Sequence, residues 1–334
     1  MTQTVSREQV IRYRIRASHL DAKLPPGSFA KAAWGGLQDS VPRGGVISLH
    51  ARVEGTQPNS WEDPSVAQIW FRGGADYIVP RADVGVFTLG SLPRAPGAAA
   101  RLEGLADEIH RVAEGRTLKV REVQELLGAG HPTAVRFAAP TGRILIRWDA
   151  RDIWLIPIER PDIDPERARL ELARRFVHWF GPTTRAAMAR WTGVTNSDAT
   201  TTWRGIEKDL VPVELDGAER HVLASDVDAL LRAAPVEGIR LLPFDDALTK
   251  LDRELLVRDP DIRRRVIPPA GTSLGYIPGA ILADGELVGA WQRQQRRVRI
   301  HPTQRLSAAV RKAVEREART FPIAGAAEPT VSWD

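Results

Sequence analysis

Residues 165–224 read PERARLELARRFVHWFGPTTRAAMARWTGVTNSDATTTWRGIEKDLVPVELDGAERHVLA. Pro165 suits the first turn of a helix, where a backbone N–H has no partner to lose, and the pattern predicts a helix over 166–180 that stops at Gly181-Pro182. A second helix is predicted over 184–192, closed by Gly193, and a third over 197–209. Residues 211–215 and 220–224 are short β-rich runs joined around Asp216-Gly217, a dipeptide that accepts the positive φ of a tight hairpin turn. Three helices followed by a hairpin is the winged-helix order, in which the later helix enters a DNA groove and the hairpin forms the wing.

The same order is expected on the N-terminal side. Amphipathic helices over 102–113 and 120–127, a turn over 128–132 and a short helix over 133–139 precede β-rich runs at 143–148 and 153–158. Residues 1–95 form a further unit in this reading. Its first helix spans 6–22, with Ser6 and Gln9 placed as a capping box. A short helix follows over 28–37, then an apolar run at 46–53, a strand at 75–80 and a helix start at 81–89. The Pro-, Ala- and Gly-rich residues 93–100 read as a hinge or surface loop. Beyond 238 the pattern turns β-rich, with strands expected at 239–243, 280–282 and 286–292 and a turn at Asp284-Gly285. A terminal helix is expected over 303–320, and the last dozen residues read as a flexible tail. The expected fold is therefore α+β: tandem winged-helix units over 1–95, 101–160 and 164–226, then a small C-terminal β-barrel or sheet with a terminal helix over 238–322.

The chain has 334 residues, 43% hydrophobic and 27% charged, enough for several packed cores. It contains no cysteine, which excludes disulfides, thiolate zinc sites, iron–sulfur clusters and cysteine nucleophiles. No run approaches the roughly 20 apolar residues that span a bilayer, and the N-terminus has no apolar signal core, so no membrane partner and a cytoplasmic location are expected. The seven histidines are scattered without metal-ligand spacing, and neither a phosphate-binding glycine loop nor a GxSxG elbow is present; no metal and no cofactor are expected. The formal charge is +5, with basic clusters at Arg12, Arg14 and Arg16, at Arg263–Arg265, and at Arg293, Arg296, Arg297 and Arg299. Guanidinium groups suit phosphates and guanine edges, which favours nucleic acid as the partner; a solvated surface is the other reading.

The chemistry is sought in Gly35-Gly36-Leu37-Gln38-Asp39-Ser40-Val41-Pro42-Arg43 and the following Ser48-Leu49-His50-Ala51-Arg52. Further stretches are Phe180-Gly181-Pro182-Thr183-Thr184 with Trp191-Thr192-Gly193, Leu241-Leu242-Pro243-Phe244-Asp245 with Leu251-Asp252-Arg253, and Asp284-Gly285 with Val288-Gly289-Ala290-Trp291. In this order, and over nearly the whole chain, they resemble the crosslink-repair DNA glycosylase family, which is built on tandem winged helices. The resemblance implies a monofunctional enzyme that hydrolyses the N-glycosidic bond of alkylated or crosslinked purines in double-stranded DNA; a monomer is the separate expectation. It also implies that a Gln-x-Gln or Gln-x-Asp pair in the GLQ turn organises catalysis. Gln38 holds the first position, but Ser40 stands at the second, and the nearest carboxylate is Asp39.

Such a reaction passes through an oxocarbenium-like sugar and needs a positioned water and a stabilising negative charge. Gln38 is the candidate to orient the water through its carbonyl, Asp39 to supply charge and act as base, and Ser40 to hold the water. Turn or cap roles are the plainer reading of Asp39 and Ser40. Glu62 and Asp63 are a second carboxylate candidate. Arg43 and Trp61, with Arg293, Arg296, Arg297 and Arg299, are the candidate DNA contacts, Trp34 and Trp61 being placed to stack on a base. The departure at Ser40 leaves a non-catalytic winged-helix DNA-binding protein as the alternative.

Overall fold

The computed structural model describes residues 3–128, 134–269, 277–325 and 328–334. The predicted turn at 128–132 and the start of the predicted helix at 133 lie largely outside these residues. The fold is mixed α+β, with three sheets among the described residues. Among the described residues no helix is long and apolar enough to cross a membrane.

The segment quoted first folds as its pattern dictates. Helices run over Pro165–Phe180, Arg185–Thr192 and Asn196–Ile206, each opened by a side chain that accepts a first-turn N–H: Asp164, Thr184 and Thr195. The strands Leu210–Leu215 and Ala218–Leu223 follow as an antiparallel hairpin, with Asp216 and Gly217 both at positive φ. Gln3–Thr4 adds a parallel edge to that hairpin. Phe176, Phe180 and Trp191 from this segment pack with Phe71, and Phe71 also meets Phe87, so the main core is shared with the N-terminal third.

A six-stranded sheet collects, in spatial order, Leu37–Gln38, Ala75–Pro80, Val66–Phe71, Ile144–Trp148, Ile153–Pro157 and Leu118–Lys119. It therefore carries strands from both sides of residues 93–100. Those residues do not form a loop throughout: Pro96 occupies the first turn of a helix that runs Pro96–Ala113, because a proline breaks a helix interior but fits its start. Val66–Phe71, which the pattern did not mark, is a strand; all six residues are buried, so no polar alternation signals it. The apolar run at 46–53 belongs to a helix, Gly44–Arg52. The short helix expected over 28–37 stops at Ala32, and Leu37–Gln38 is already strand.

The C-terminal sheet orders Ile239–Leu242, Gly279–Ala283, Glu286–Gln294, Arg297–Pro302 and Thr330–Trp333. The terminal helix is Ala308–Arg319. The last residues are not a free tail: Thr330–Trp333 pairs in parallel with Arg297–Pro302, and Trp333 lies under the Arg311 guanidinium and donates to Glu315. The N-terminal helix, Arg7–Ala17, keeps the Ser6/Gln9 capping box. Its basic run is partly structural. Arg14 is buried and donates to the carbonyls of Phe180, Gly181 and Pro182 while pairing with Asp252.

Candidate active site

The GLQDS loop is held by backbone pairing along Leu37, Gln38 and Asp39. Leu37 and Gln38 pair with Ile78 and Tyr77, and the Asp39 amide donates to the Asp76 carbonyl at 2.7 Å. The Asp39 side chain then turns underneath the loop and is fully buried. Its Oδ1 accepts the Gly45 N–H at 2.7 Å, in the first turn of Gly44–Arg52, where helix N–H groups are unpaired and the helix dipole favours negative charge. Its Oδ2 accepts from Gln68 Nε2 at 2.9 Å, and Gln68 Oε1 accepts the Trp148 N–H, which fixes which way the Gln68 amide points. Gly45 leaves room for this approach: a Cβ there would stand 3.0 Å from the Asp39 carboxyl carbon and 2.6 Å from the end of the Ile78 side chain. Burial pushes the Asp39 carboxyl up to about 7, against the pull of the Gly45 N–H, Arg43 and Gln68. Burial likewise raises Asp76 to about 6.

Gln38 lies one layer nearer the surface and is 8% exposed. Its Oε1 accepts from the Tyr77 hydroxyl at 3.2 Å and from Lys250 Nζ. Lys250 also pairs with Asp245 at 2.8 Å; burial lowers the pKa of its ammonium and Asp245 opposes that. The carbonyl expected to orient a water thus has two donors within the protein. The amide nitrogen is the outward group, and it donates to Ser40 Oγ at 3.1 Å. Ser40 Oγ also accepts the Asp76 N–H at 3.3 Å. A hydroxyl has two lone pairs and one proton, so Ser40, which is exposed, presents its O–H outward as a donor.

Beside this loop opens a cavity of about 580 Å³. The loop supplies Val41, Pro42 and Gly44; the C-terminal sheet supplies Trp291 and the basic hairpin residues Arg293, Arg297 and Arg299. Residues some 250 positions apart in sequence thus meet at one cleft, although Gln38, Asp39 and Ser40 are not themselves among its walls. Gly279 permits the hairpin to close over Trp291, since a Cβ there would fall 2.3 Å from the indole.

The other sequence candidates are placed as follows. Arg43 is half-buried at positive φ, lies 4.3 Å above the Trp61 ring and donates to the Trp148 carbonyl. Trp61 is 7% exposed, with Arg147 also over its ring, so it supports Arg43 rather than offering a face to a base. Trp34 packs against Arg175 and His178, away from a stacking role. Glu62 pairs with Arg147, and Asp63 accepts from Ser65; both are tied to local structure. Arg296 points the other way from its neighbours, toward Gly325, and is not a wall of the cleft. Sequence reading did not single out Gln68, Asp76, Tyr77 or Lys250. Gln68 lies on the unmarked strand, and Lys250 falls between the two halves of a motif quoted for its leucines and aspartates.

A family model described as DNA glycosylase AlkZ-like matches residues 32–321. The fold is similar to that of Streptomyces sahachiroi DNA glycosylase AlkZ, with a TM-score of 0.78 and 20% sequence identity over 99% of this chain and 100% of that one. Among curated proteins no sequence matches.

Proposed function

The chain belongs to the AlkZ-like DNA glycosylase family, and from that premise we propose that it hydrolyses the N-glycosidic bond of alkylated or crosslinked purines in duplex DNA, as a monomer. The helix–helix–helix–hairpin order at 165–223 and the comparable order at 96–157 are read as winged-helix units, with the C-terminal sheet as a small barrel-like module. The observation that carries the catalytic reading is the polar cluster at Gln38. A buried set of partners turns its amide nitrogen and the Ser40 hydroxyl outward, beside a cleft lined by arginines.

An N7-alkylated purine is already cationic, so its departure needs no protonation by the enzyme. The C1′–N9 bond breaks, the electron pair neutralises the base, and a water oxygen bonds to C1′ and sheds its proton to solvent. The Gln38 N–H that Ser40 does not take holds that water by one lone pair of its oxygen and leaves the other to attack C1′, while the Ser40 O–H faces the same side of the cleft. Asp39 lies behind the loop and both of its oxygens accept N–H groups; it supplies negative charge toward the oxocarbenium sugar rather than taking the proton. Arg293, Arg297 and Arg299 contact phosphates, and Arg43, braced by Trp61, contacts the backbone beside the lesion. Arg296 belongs to the same basic hairpin but faces Gly325 and carries no contact in this reading. The test is base release from N7-alkylguanine duplex by the wild type and by Gln38→Ala. Binding without any release by the wild type would leave the non-catalytic reading standing.

A further inference from the structure

We propose that Lys250 is a positioning residue for this reaction, setting the direction of the Gln38 amide by donating to its carbonyl while Asp245 holds the ammonium. The inference deepens the glycosylase reading and rests on it.

An amide side chain has two near-isosteric orientations, one presenting oxygen and the other nitrogen to a given neighbour. Tyr77 cannot choose between them, because a phenol both donates and accepts. Ser40 cannot choose either, for the same reason. Lys250 can: an ammonium has three donors and no acceptor, so only the amide oxygen can face it. With the oxygen held inward by Lys250 and Tyr77, the nitrogen must face Ser40, whose remaining proton then points outward. One cation at the back of the cluster therefore fixes the polarity of two side chains at its front.

The placement of Lys250 is itself built. It ends the short helix Ala247–Lys250, whose cap Asp246 forms a fully buried ion pair with Arg52 of the helix Gly44–Arg52. That helix is the one whose first turn receives Asp39. Lys250 and the GLQDS loop are thus tied to a common support from opposite sides. The Lys250 side chain is 17% exposed and that of Asp245 8%, which limits competition by water for these contacts.

The test compares wild type, Lys250→Met and Lys250→Arg under single-turnover conditions on N7-methylguanine duplex DNA, with the Kd for the same duplex measured in parallel. The expected result is a fall in base-release rate of at least 10-fold for Lys250→Met, with Kd within twofold of wild type. Lys250→Arg, also a donor without acceptors, is expected to recover most of the rate. A Lys250→Met rate within twofold of wild type overturns the proposal. So does a loss matched by an equal weakening of binding, or an arginine variant as slow as the methionine one. A second readout does not depend on base release: the side-chain amide resonances of Gln38, assigned by their loss in Gln38→Ala. They are expected to be protected from hydrogen exchange in the wild type and to shift and lose protection in Lys250→Met. Should the wild type release no base, the glycosylase reading fails while this second readout still decides the role of Lys250; unchanged resonances overturn it.

Discussion

Residues 165–223 take their local structure from adjacent residues, although their core is shared with the N-terminal third. Their helices are capped by Asp164, Thr184 and Thr195 from the residues immediately before each, and their hairpin pairs strands separated by two residues. Residues 37–80 do the opposite. Their loop is positioned by Gln68 from the next strand but one of the sheet, itself held by the Trp148 N–H, and by Lys250 and Asp246 from far along the chain. The first region is specified locally and serves as support. The second is specified at long range and holds the groups read as catalytic, where buried charge that would be costly alone is kept in place by surrounding contacts.

The contrast is broken most forcefully at Arg52. Its guanidinium and the Asp246 carboxylate are fully buried against each other, so Arg52→Met leaves a buried carboxylate unpaired and is expected to cost roughly 3–5 kcal/mol. Urea unfolding measures this. A cost below about 1 kcal/mol would mean that the loop is not anchored through this pair.

Asp39 provides a smaller and pH-dependent effect. Its folded carboxyl titrates near 7, above its unfolded value, so the folded state binds the proton more tightly. Stability from this group is therefore fully present below the unfolded pKa and is lost as pH rises through about 7. Relative to Asp39→Asn, which cannot take up the proton, the wild type should gain stability between pH 8 and pH 5, by an amount on the order of a few kcal/mol at most. Its base-release rate should move the other way, falling below pH 7 as the charge is lost, whereas Asp39→Asn should be slow and flat. A wild-type stability curve parallel to that of Asp39→Asn would show that burial does not govern this carboxyl.

The smallest effect is expected in the locally specified region. Thr184→Ala removes one cap from Arg185–Thr192 and should cost about 1 kcal/mol, with base release unchanged at a temperature where the variant is folded. A loss of activity there would show that the two regions are coupled more tightly than their contacts indicate.

This difference also explains what the sequence made legible. Helix starts at Pro165 and Thr184 and the turn at Asp216-Gly217 are written in adjacent residues, and the structure follows them closely. The strand Val66–Phe71 is buried on every residue and carries no alternation to read. The helix over 102–113 was legible but its start from Pro96 was hidden by a composition that also suits loops, and Thr330–Trp333 becomes a strand only because Arg297–Pro302 offers it an edge. At the candidate site the residue types Gln38, Asp39 and Ser40 were visible, but their directions were not. Which end of the Gln38 amide faces outward depends on Lys250, and the burial of Asp39 depends on the space left by Gly45. Neither dependence has a local signature.

The most direct test of the account is the rate of base release from duplex DNA carrying N7-methylguanine, wild type beside Gln38→Ala at matched saturation. The account predicts release by the wild type well above spontaneous depurination and a loss of roughly 100-fold or more in Gln38→Ala, with duplex binding retained. Equal rates in the two proteins would contradict it.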